Sequence, residues 1–332
     1  MAKYQEIAEL LRHQVERGEY PTGKLPPLRK LAMTMGVSYL TARQAVKAYN
    51  DAGGYDSNAG RPLVAMVTPL WAFTEWHRAI RDEVPAMGGR VRFIAYGSDT
   101  DPIISDVLSQ EEYDLIFLYI PQREDPRLRE LIAKVSDRVI VMFRDMTQLG
   151  VRCLDGANPV GIERFLEILK ARGVKRVDAL GRDTDLDSNL QVYYRVWREW
   201  IDRNGMEGRF FSVKHQSFEP DDLKALDTCR GILERKELGK AVFCFFPTLA
   251  TGLYRACYEH GLIPGRDISI FGFGDYDRAK LMTPALATVR DVKIAETIRT
   301  LLMEYRPGAK RSARMMFRPD QTDIFMGESL IE

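Results

Sequence analysis

The chain of 332 residues is poor in the residues that most often carry chemistry, with four cysteines and four histidines. Cys153, Cys229, Cys244 and Cys257 form no CxxC pair and stand near no histidine at zinc spacing. Neither a disulfide framework nor a metal site is therefore expected, and a reducing cytoplasm suits such thiols. Long apolar runs are missing too: LIFLYI and AVFCFF are strand-sized, far below what spans a bilayer. The N-terminus, MAKYQEIAELLRHQVERGEY, is amphipathic and carries acids, unlike a secretory signal. Neither a P-loop nor a G-x-S-x-G motif occurs. FGFGDYD puts Asp277 where a dinucleotide fingerprint needs its third glycine. DTDLDSNLQVYY opens like a calcium loop, but it has Ser188 for the required glycine and Tyr194 for the bidentate glutamate. His13, His77, His215 and His260 are scattered, so no catalytic set assembles and no cofactor is expected.

A surplus of either charge is also absent, with 48 basic against 47 acidic residues. That balance argues against a protein that coats nucleic acid at random, though phosphate contacts depend on where the charges lie. One segment departs from it. From Leu28 to Asn50 there is no Asp or Glu, and between Tyr20 and Asn50 stand five cations, Lys24, Arg29, Lys30, Arg43 and Lys47. A carboxylate would repel phosphate, so this pattern fits a DNA-facing surface, and a helical hairpin packed on the rest of the chain is the alternative.

The pattern around these cations is helical. Tyr4, Ile7, Leu10, Leu11 and Val15 recur at helical spacing, and GEYPTGKLPP breaks that helix. A short second helix starts at Leu28, Gly36 supplies a tight turn, and Ser38 caps a third helix with Ala42, Ala45, Val46 and Tyr49 on one face. Two helices joined by a Gly-containing turn make a helix-turn-helix, whose second helix enters a major groove.

The order of residues, with G-x-Y-x-x-G-x-L-P at Gly18 to Pro26, R-x-L-A at Arg29 to Ala32 and G-V-S-x-x-T-x-R at Gly36 to Arg43, resembles the winged helix-turn-helix of the GntR family of bacterial transcription regulators. The resemblance implies that Arg29, Ser38, Thr41 and Arg43 touch DNA. Lys24, Tyr39, Gln44 and Lys47 complete the candidate set, with hydroxyls suited to phosphate and Arg43 to phosphate or a guanine edge. Tyr39 stands where the family often has arginine, so base preference does not carry over. Only YDSNAGR follows Gly53-Gly54, which leaves room for a short or vestigial wing.

From Arg61 onward strand-like apolar segments alternate with helical ones, from LVAMVTP to ISIFGFG. Such alternation, with continuous Val/Ile/Leu/Phe strands, predicts an α/β fold of buried parallel sheets flanked by helices. GLIPGRDISIFGFGDYDRAKLMTPALATVR resembles the segment that marks LacI/GalR-type repressors, with weaker similarity over residues 62–332. That resemblance implies a two-lobed, periplasmic-binding-protein-like body with ligand in its cleft. The expected division is a head at 1–60 and a body at 61–332. Lobe 1 is expected at about 62–154 and 288–306, lobe 2 at about 155–287 and 307–332.

In the expected cleft, Asp275 stands where the family keeps an aspartate for sugar hydroxyls, and Phe143 and Arg144 follow the strand VIVMF. Phe246 replaces a polar family position, and Gln191 falls near another. Trp71, Phe73 and Trp76 are read as core aromatics or as a stacking surface. The whole reads as a cytoplasmic, non-enzymatic transcription regulator, a repressor in the leading version. Its expected partners are operator DNA, a small-molecule effector such as a sugar or sugar derivative, and a second copy in a homodimer, with no membrane. Two alternatives stay open: a constitutive DNA-binding protein with a degenerate pocket, and a small-molecule-binding protein or enzyme with an inactive head.

Overall fold

The computed structural model describes residues 3–16, 19, 25–51, 62–72, 74–123, 125–156, 159–182, 188–214, 218–305, 311–319 and 321–331. Lys24, Phe73, the whole of the expected wing and the DTDLD stretch lie outside them. The chain divides into two compact units, Met1–Arg61 and Pro62–Glu332.

The first unit holds helices α1 (Lys3–Glu16), α2 (Leu28–Thr34) and α3 (Tyr39–Asp51). Its small core joins Ile7, Ala8 and Leu11 of α1 to Leu31 of α2 and Ala45 and Tyr49 of α3. Gly36 turns the chain between α2 and α3 with φ 63°, a conformation that penalises any Cβ. Ser38 caps α3: its Oγ accepts the Thr41 backbone N–H at 3.1 Å.

The second unit contains two six-stranded sheets. The first uses β1 (Leu63–Pro69), β2 (Arg90–Tyr96), β3 (Leu115–Tyr119), β4 (Val139–Met142), β5 (Arg152–Leu154) and β11 (Met316–Phe317), all parallel, in the order β11-β5-β4-β3-β1-β2. The second uses β6 (Asp178–Arg182), β7 (Phe210–Val213), β8 (Ala241–Cys244), β9 (Ser269–Phe273), β10 (Ala287–Val292) and β12 (Gln321–Phe325), in the order β12-β10-β9-β8-β6-β7. Here β12 alone runs antiparallel, against β10. Strand β1 is buried at all seven positions, as expected of a parallel strand covered by helices on both faces.

Helices α4 (Glu75–Ala86), α5 (Pro102–Ser109), α6 (Pro126–Lys134) and α12 (Ile294–Met303) flank the first sheet. Helices α7 (Pro159–Ala171), α8 (Ser188–Arg203), α9 (Asp221–Glu234) and α10 (Pro247–Glu259), with the short α11 (Tyr276–Leu281), flank the second. The core of that lobe centres on Phe165, Phe271 and Phe243, stacked with centroids 4.2 and 4.7 Å apart. Gly161 lets α7 press onto β10 and β12; a Cβ there meets Val289 Cγ1 at 2.4 Å. The buried Asp178 accepts from Arg176, from Arg209 N–H at 2.9 Å and from Gly239 N–H at 2.6 Å, tying three loops to β6.

The lobe borders differ from the expected ones. The chain passes between lobes after Leu154, after Val292 and after Phe317. Strand β10 thus belongs wholly to lobe 2 rather than passing to lobe 1 at 288, because it pairs with β9 and β12. Strand β11 returns to lobe 1, beyond the expected limit of 306, because Met316 and Phe317 pair with Cys153 and Leu154. Two-residue β11 is too short to carry a periodicity.

Candidate functional site

The head presents one polar surface. Arg29, Ser38, Tyr39, Arg43, Gln44 and Lys47 are exposed together on α2 and α3, with Thr41 half-buried beside them. The periodicity that buries Ala42, Ala45 and Tyr49 turns these residues outward. No carboxylate among the described residues of the head pairs with Arg29, Arg43 or Lys47. The Ser38 and Thr41 hydroxyls lie 2.8 Å apart, so the capping residue and its partner are already oriented. Tyr39 is 51% exposed and Leu40 61%, giving the start of α3 an apolar element beside the cations.

The second site is a cavity of about 230 Å³ between the lobes, at the C-terminal ends of the strands. Parallel strands end there in loops whose backbone is free to face a ligand. Lobe 1 contributes Trp71, Trp76, Tyr119 and Phe143, and lobe 2 contributes Tyr193, Phe246 and Phe273. These rings meet largely edge to face: Trp76 on Phe143 at 5.9 Å, Tyr119 on Phe143 at 5.0 Å, Trp71 on Tyr119 at 5.5 Å. Phe143 holds φ 63° and Asp275 φ 41°, strained values for residues with a Cβ, and both line the cavity.

The helix that brings Trp76 to the cavity is fixed from below by His77. Burial pushes this imidazole down to about 4, so it is neutral at pH 7. Its Nδ1 accepts the Thr74 N–H at 3.0 Å, which places the proton on Nε2, donated to Thr68 Oγ1 at 2.7 Å.

Four carboxylates line the cavity, Glu75, Asp221, Asp275 and Asp291, beside two guanidiniums, Arg182 and Arg278. Arg182 is ion-paired with Asp221, and Arg278 with Asp275 at 3.0 Å. Arg182 also lies over the rings of Phe246 and Trp71, at 4.8 and 6.0 Å. Burial raises the Glu75 carboxyl above its ordinary value, against the hydrogen bond it accepts from Tyr276 N–H at 3.3 Å. Burial, together with Asp155 and Glu75 nearby, pushes Asp291 up to about 8. Its Oδ1 is buried with no hydrogen-bond partner among the described residues.

Several contacts bridge the lobes around this cavity. Arg78 meets Asp277 at 2.7 Å, Glu75 accepts from Tyr276, and Phe218 sets its ring edge-on to Tyr96 at 5.9 Å.

Of the residues expected in the cleft, Trp71, Phe143, Phe246 and Asp275 line it together. Arg144 and Gln191 do not. Next to Phe143 in the chain, Arg144 donates to the Gln122 carbonyl at 3.3 Å instead. Gln191 is on the exposed face of α8, while Tyr193, two residues on, is buried and reaches the cavity. Sequence reasoning missed Arg182, Asp221, Glu75 and Asp291. Arg182 ends β6, which is the position from which a side chain reaches a crevice.

A helical DNA-facing head joined to two α/β lobes around a ligand-sized cleft defines a two-part class of regulator. The comparisons agree in both halves. The family of bacterial regulatory proteins of gntR type matches residues 3–53, and the periplasmic binding protein-like domain matches residues 166–316. The HTH-type transcriptional regulator MalR of Clostridium butyricum is 34% identical over 247 residues, 63% of this chain and 71% of that one. The ribose operon repressor of Haemophilus influenzae is 35% identical over 60 residues, so the chain spans 18% of that relative's length. A LacI-type regulator from Alkaliphilus metalliredigens, solved with D-xylulofuranose, superposes with a TM-score of 0.66 at 15% identity over 81% of this chain and 99% of that one. The chain belongs to the helix-turn-helix transcriptional regulators, pairing a gntR-family head with a periplasmic-binding-protein-like body. These relatives are regulators rather than enzymes. No helix among the described residues is long and apolar enough to cross a membrane.

Proposed function

We propose that the chain represses transcription by binding operator DNA through α3, and that a small sugar-related effector in the cleft changes this affinity. The observation that carries the reading is the exposed set Arg29, Tyr39, Arg43, Gln44 and Lys47 on a face without an opposing carboxylate. Such a face supplies the phosphate contacts that dominate affinity, with Arg43 and Gln44 able to reach base edges. Thr41 and Ser38 add hydroxyls for phosphate. Trp71, Phe143, Phe246 and Asp275 take part in holding the effector, with Arg182 and Asp221 beside them. The ligand named in the solved Alkaliphilus structure and the operon named for the Haemophilus repressor both support a sugar-like effector.

In a homodimer, two such helices address half-sites about 34 Å apart or a multiple of it. A ligand that prefers one lobe arrangement shifts operator affinity through a coupling of about 1–3 kcal/mol. The test is fluorescence anisotropy on operator fragments selected from random DNA, with and without a panel of sugars and sugar derivatives. Asp275→Ala is expected to remove the effector response while leaving DNA binding intact without ligand. Failure to select any preferred DNA sequence would overturn the reading.

One observation favours a second version, a constitutive regulator. Arg182 lies over Phe246 and Trp71, taking up aromatic surface on which a ligand would stack. In that version no panel member changes operator affinity.

A further inference from the structure

Among the described residues that line the cavity, carboxyl groups outnumber guanidiniums four to two. Both of its guanidiniums are bound to carboxylates of the same cavity, Arg182 to Asp221 and Arg278 to Asp275. Two further carboxyl groups, Glu75 and Asp291, line it and form no ion pair among the described residues. Arg78 and Arg290, whose charges also act on Glu75, are paired with Asp277 and Asp323, each at 2.7 Å. Asp155, which adjoins Asp291, is held by Arg318 at 3.3 Å. The Oδ1 of Asp291 is buried and lacks a hydrogen-bond partner among the described residues. A buried acceptor left unsatisfied in this way is costly, and proteins keep one where a ligand completes it.

The apolar half of the site points the same way. Trp76, next to Glu75 in the chain, and Phe143 line the same cavity, and a Cβ placed on Gly156, next to Asp155, meets both, at 3.4 Å from Trp76 Nε1 and 3.3 Å from Phe143 Cε1. Aromatic rings and acids lining one cavity favour a cation over a sugar acid or phosphate. A neutral hydroxyl can donate to one of the two carboxyl groups, whereas only a cation balances both in their charged form, Asp291 giving up its proton as the cation binds.

Resting on the sensing function proposed above, we propose that the effector carries a positively charged nitrogen, as an amino sugar or another small amine does. That nitrogen donates to Asp291 and Glu75 beneath Trp76 and Phe143, and the rest of the ligand lies along Phe246 and Tyr193. The ammonium supplies up to three donors, which matches two carboxylates better than a single hydroxyl does.

Isothermal titration and thermal shift on the full chain test this with hexosamines, arylalkylamines and diamines. Each is set beside an uncharged counterpart: glucosamine and galactosamine beside their N-acetyl forms and parent hexoses, tyramine beside tyrosol. The expected result is that an amine binds and its uncharged counterpart binds at least ~10-fold more weakly. Asp291→Asn and Glu75→Gln are each expected to cost that amine at least ~10-fold, with unchanged circular dichroism. Binding by the neutral or acidic members in preference to the amines overturns the charge assignment and leaves the sensing function standing. Binding by an amine that Asp291→Asn does not weaken also overturns it. Tight amine binding with no change in operator affinity supports the charge assignment and overturns the sensing function instead. No binding by any member overturns both.

Discussion

The guanidinium carbon of Arg182 sits 4.8 Å from the centroid of Phe246, while the same guanidinium is ion-paired with Asp221. A cation on an aromatic face and a buried partner carboxylate fix one side of the cleft in place. Thr248 Oγ1 adds a 3.3 Å hydrogen bond to the same carboxylate. Arg182 enters from the end of β6, Asp221 from the start of α9 and Phe246 from the residue before α10.

Arg182→Ala is therefore expected to destabilise the body by about 3 kcal/mol, since both side chains of the pair are nearly enclosed and Asp221 is left without its main counter-charge. Urea denaturation followed by tryptophan fluorescence reads this directly. A loss below about 1 kcal/mol would show that the pair contributes little beyond a surface contact.

Arg43→Ala is expected to weaken operator binding at least ~10-fold at physiological salt, with the fold of both units intact by circular dichroism. If Arg43 touches a phosphate, the slope of log affinity against log salt falls by about one and all sequences suffer alike. If it reads a guanine edge, discrimination at one base pair is lost instead. Unchanged affinity at every salt concentration would remove Arg43 from the interface.

Asp291 gives a pH dependence whose sign follows from its raised value of about 8. The folded chain holds this proton more tightly than the unfolded chain does, so stability falls as pH rises from about 4 through about 8. Asn at this position carries no such penalty. Asp291→Asn is thus expected to raise Tm by about 3 °C or more at pH 8.5 and by less than about 1 °C at pH 5. Equal effects at both pH values would count against a protonated Asp291 in the folded chain.

The head and the α/β character of the body were legible because their signals are local. The spacing of Ala42, Ala45 and Tyr49 and the Gly36 turn describe α3 before any tertiary contact is known. Strands such as LVAMVTP announce themselves by unbroken apolarity. The segments after ISIFGFG were harder, since β10, β11 and β12 alternate between lobes and β12 is half-exposed. The cleft was legible only in part. Trp71, Phe143, Phe246 and Asp275 follow strands or family positions, whereas Glu75 and Asp291 acquire meaning only when α4 and β10 are brought together across the lobes. Gln191 failed because a helix turns about 100° per residue, so two positions separate an outward side chain from Tyr193 at the cavity.

Gly161→Ala tests the packing that seats α7. The added methyl falls 2.4 Å from Val289 Cγ1 and 3.0 Å from Thr322 Oγ1, closer than real contacts allow. A destabilisation of about 1–3 kcal/mol is expected, measured as a shift in denaturation midpoint with unchanged m-value. A neutral effect would mean that β10 and α7 separate more easily than their close approach implies.

The chain crosses between the lobes three times, after Leu154, after Val292 and after Phe317. Three ties leave two bodies fewer independent motions than one linker would, and a hinge-like nod is the motion expected to survive. Under the sensing function proposed above, whatever fills the cleft is then read as a single angle. Chemically dissimilar occupants that produce the same nod are indistinguishable to anything downstream, and an occupant that fits without tilting the lobes goes unheard.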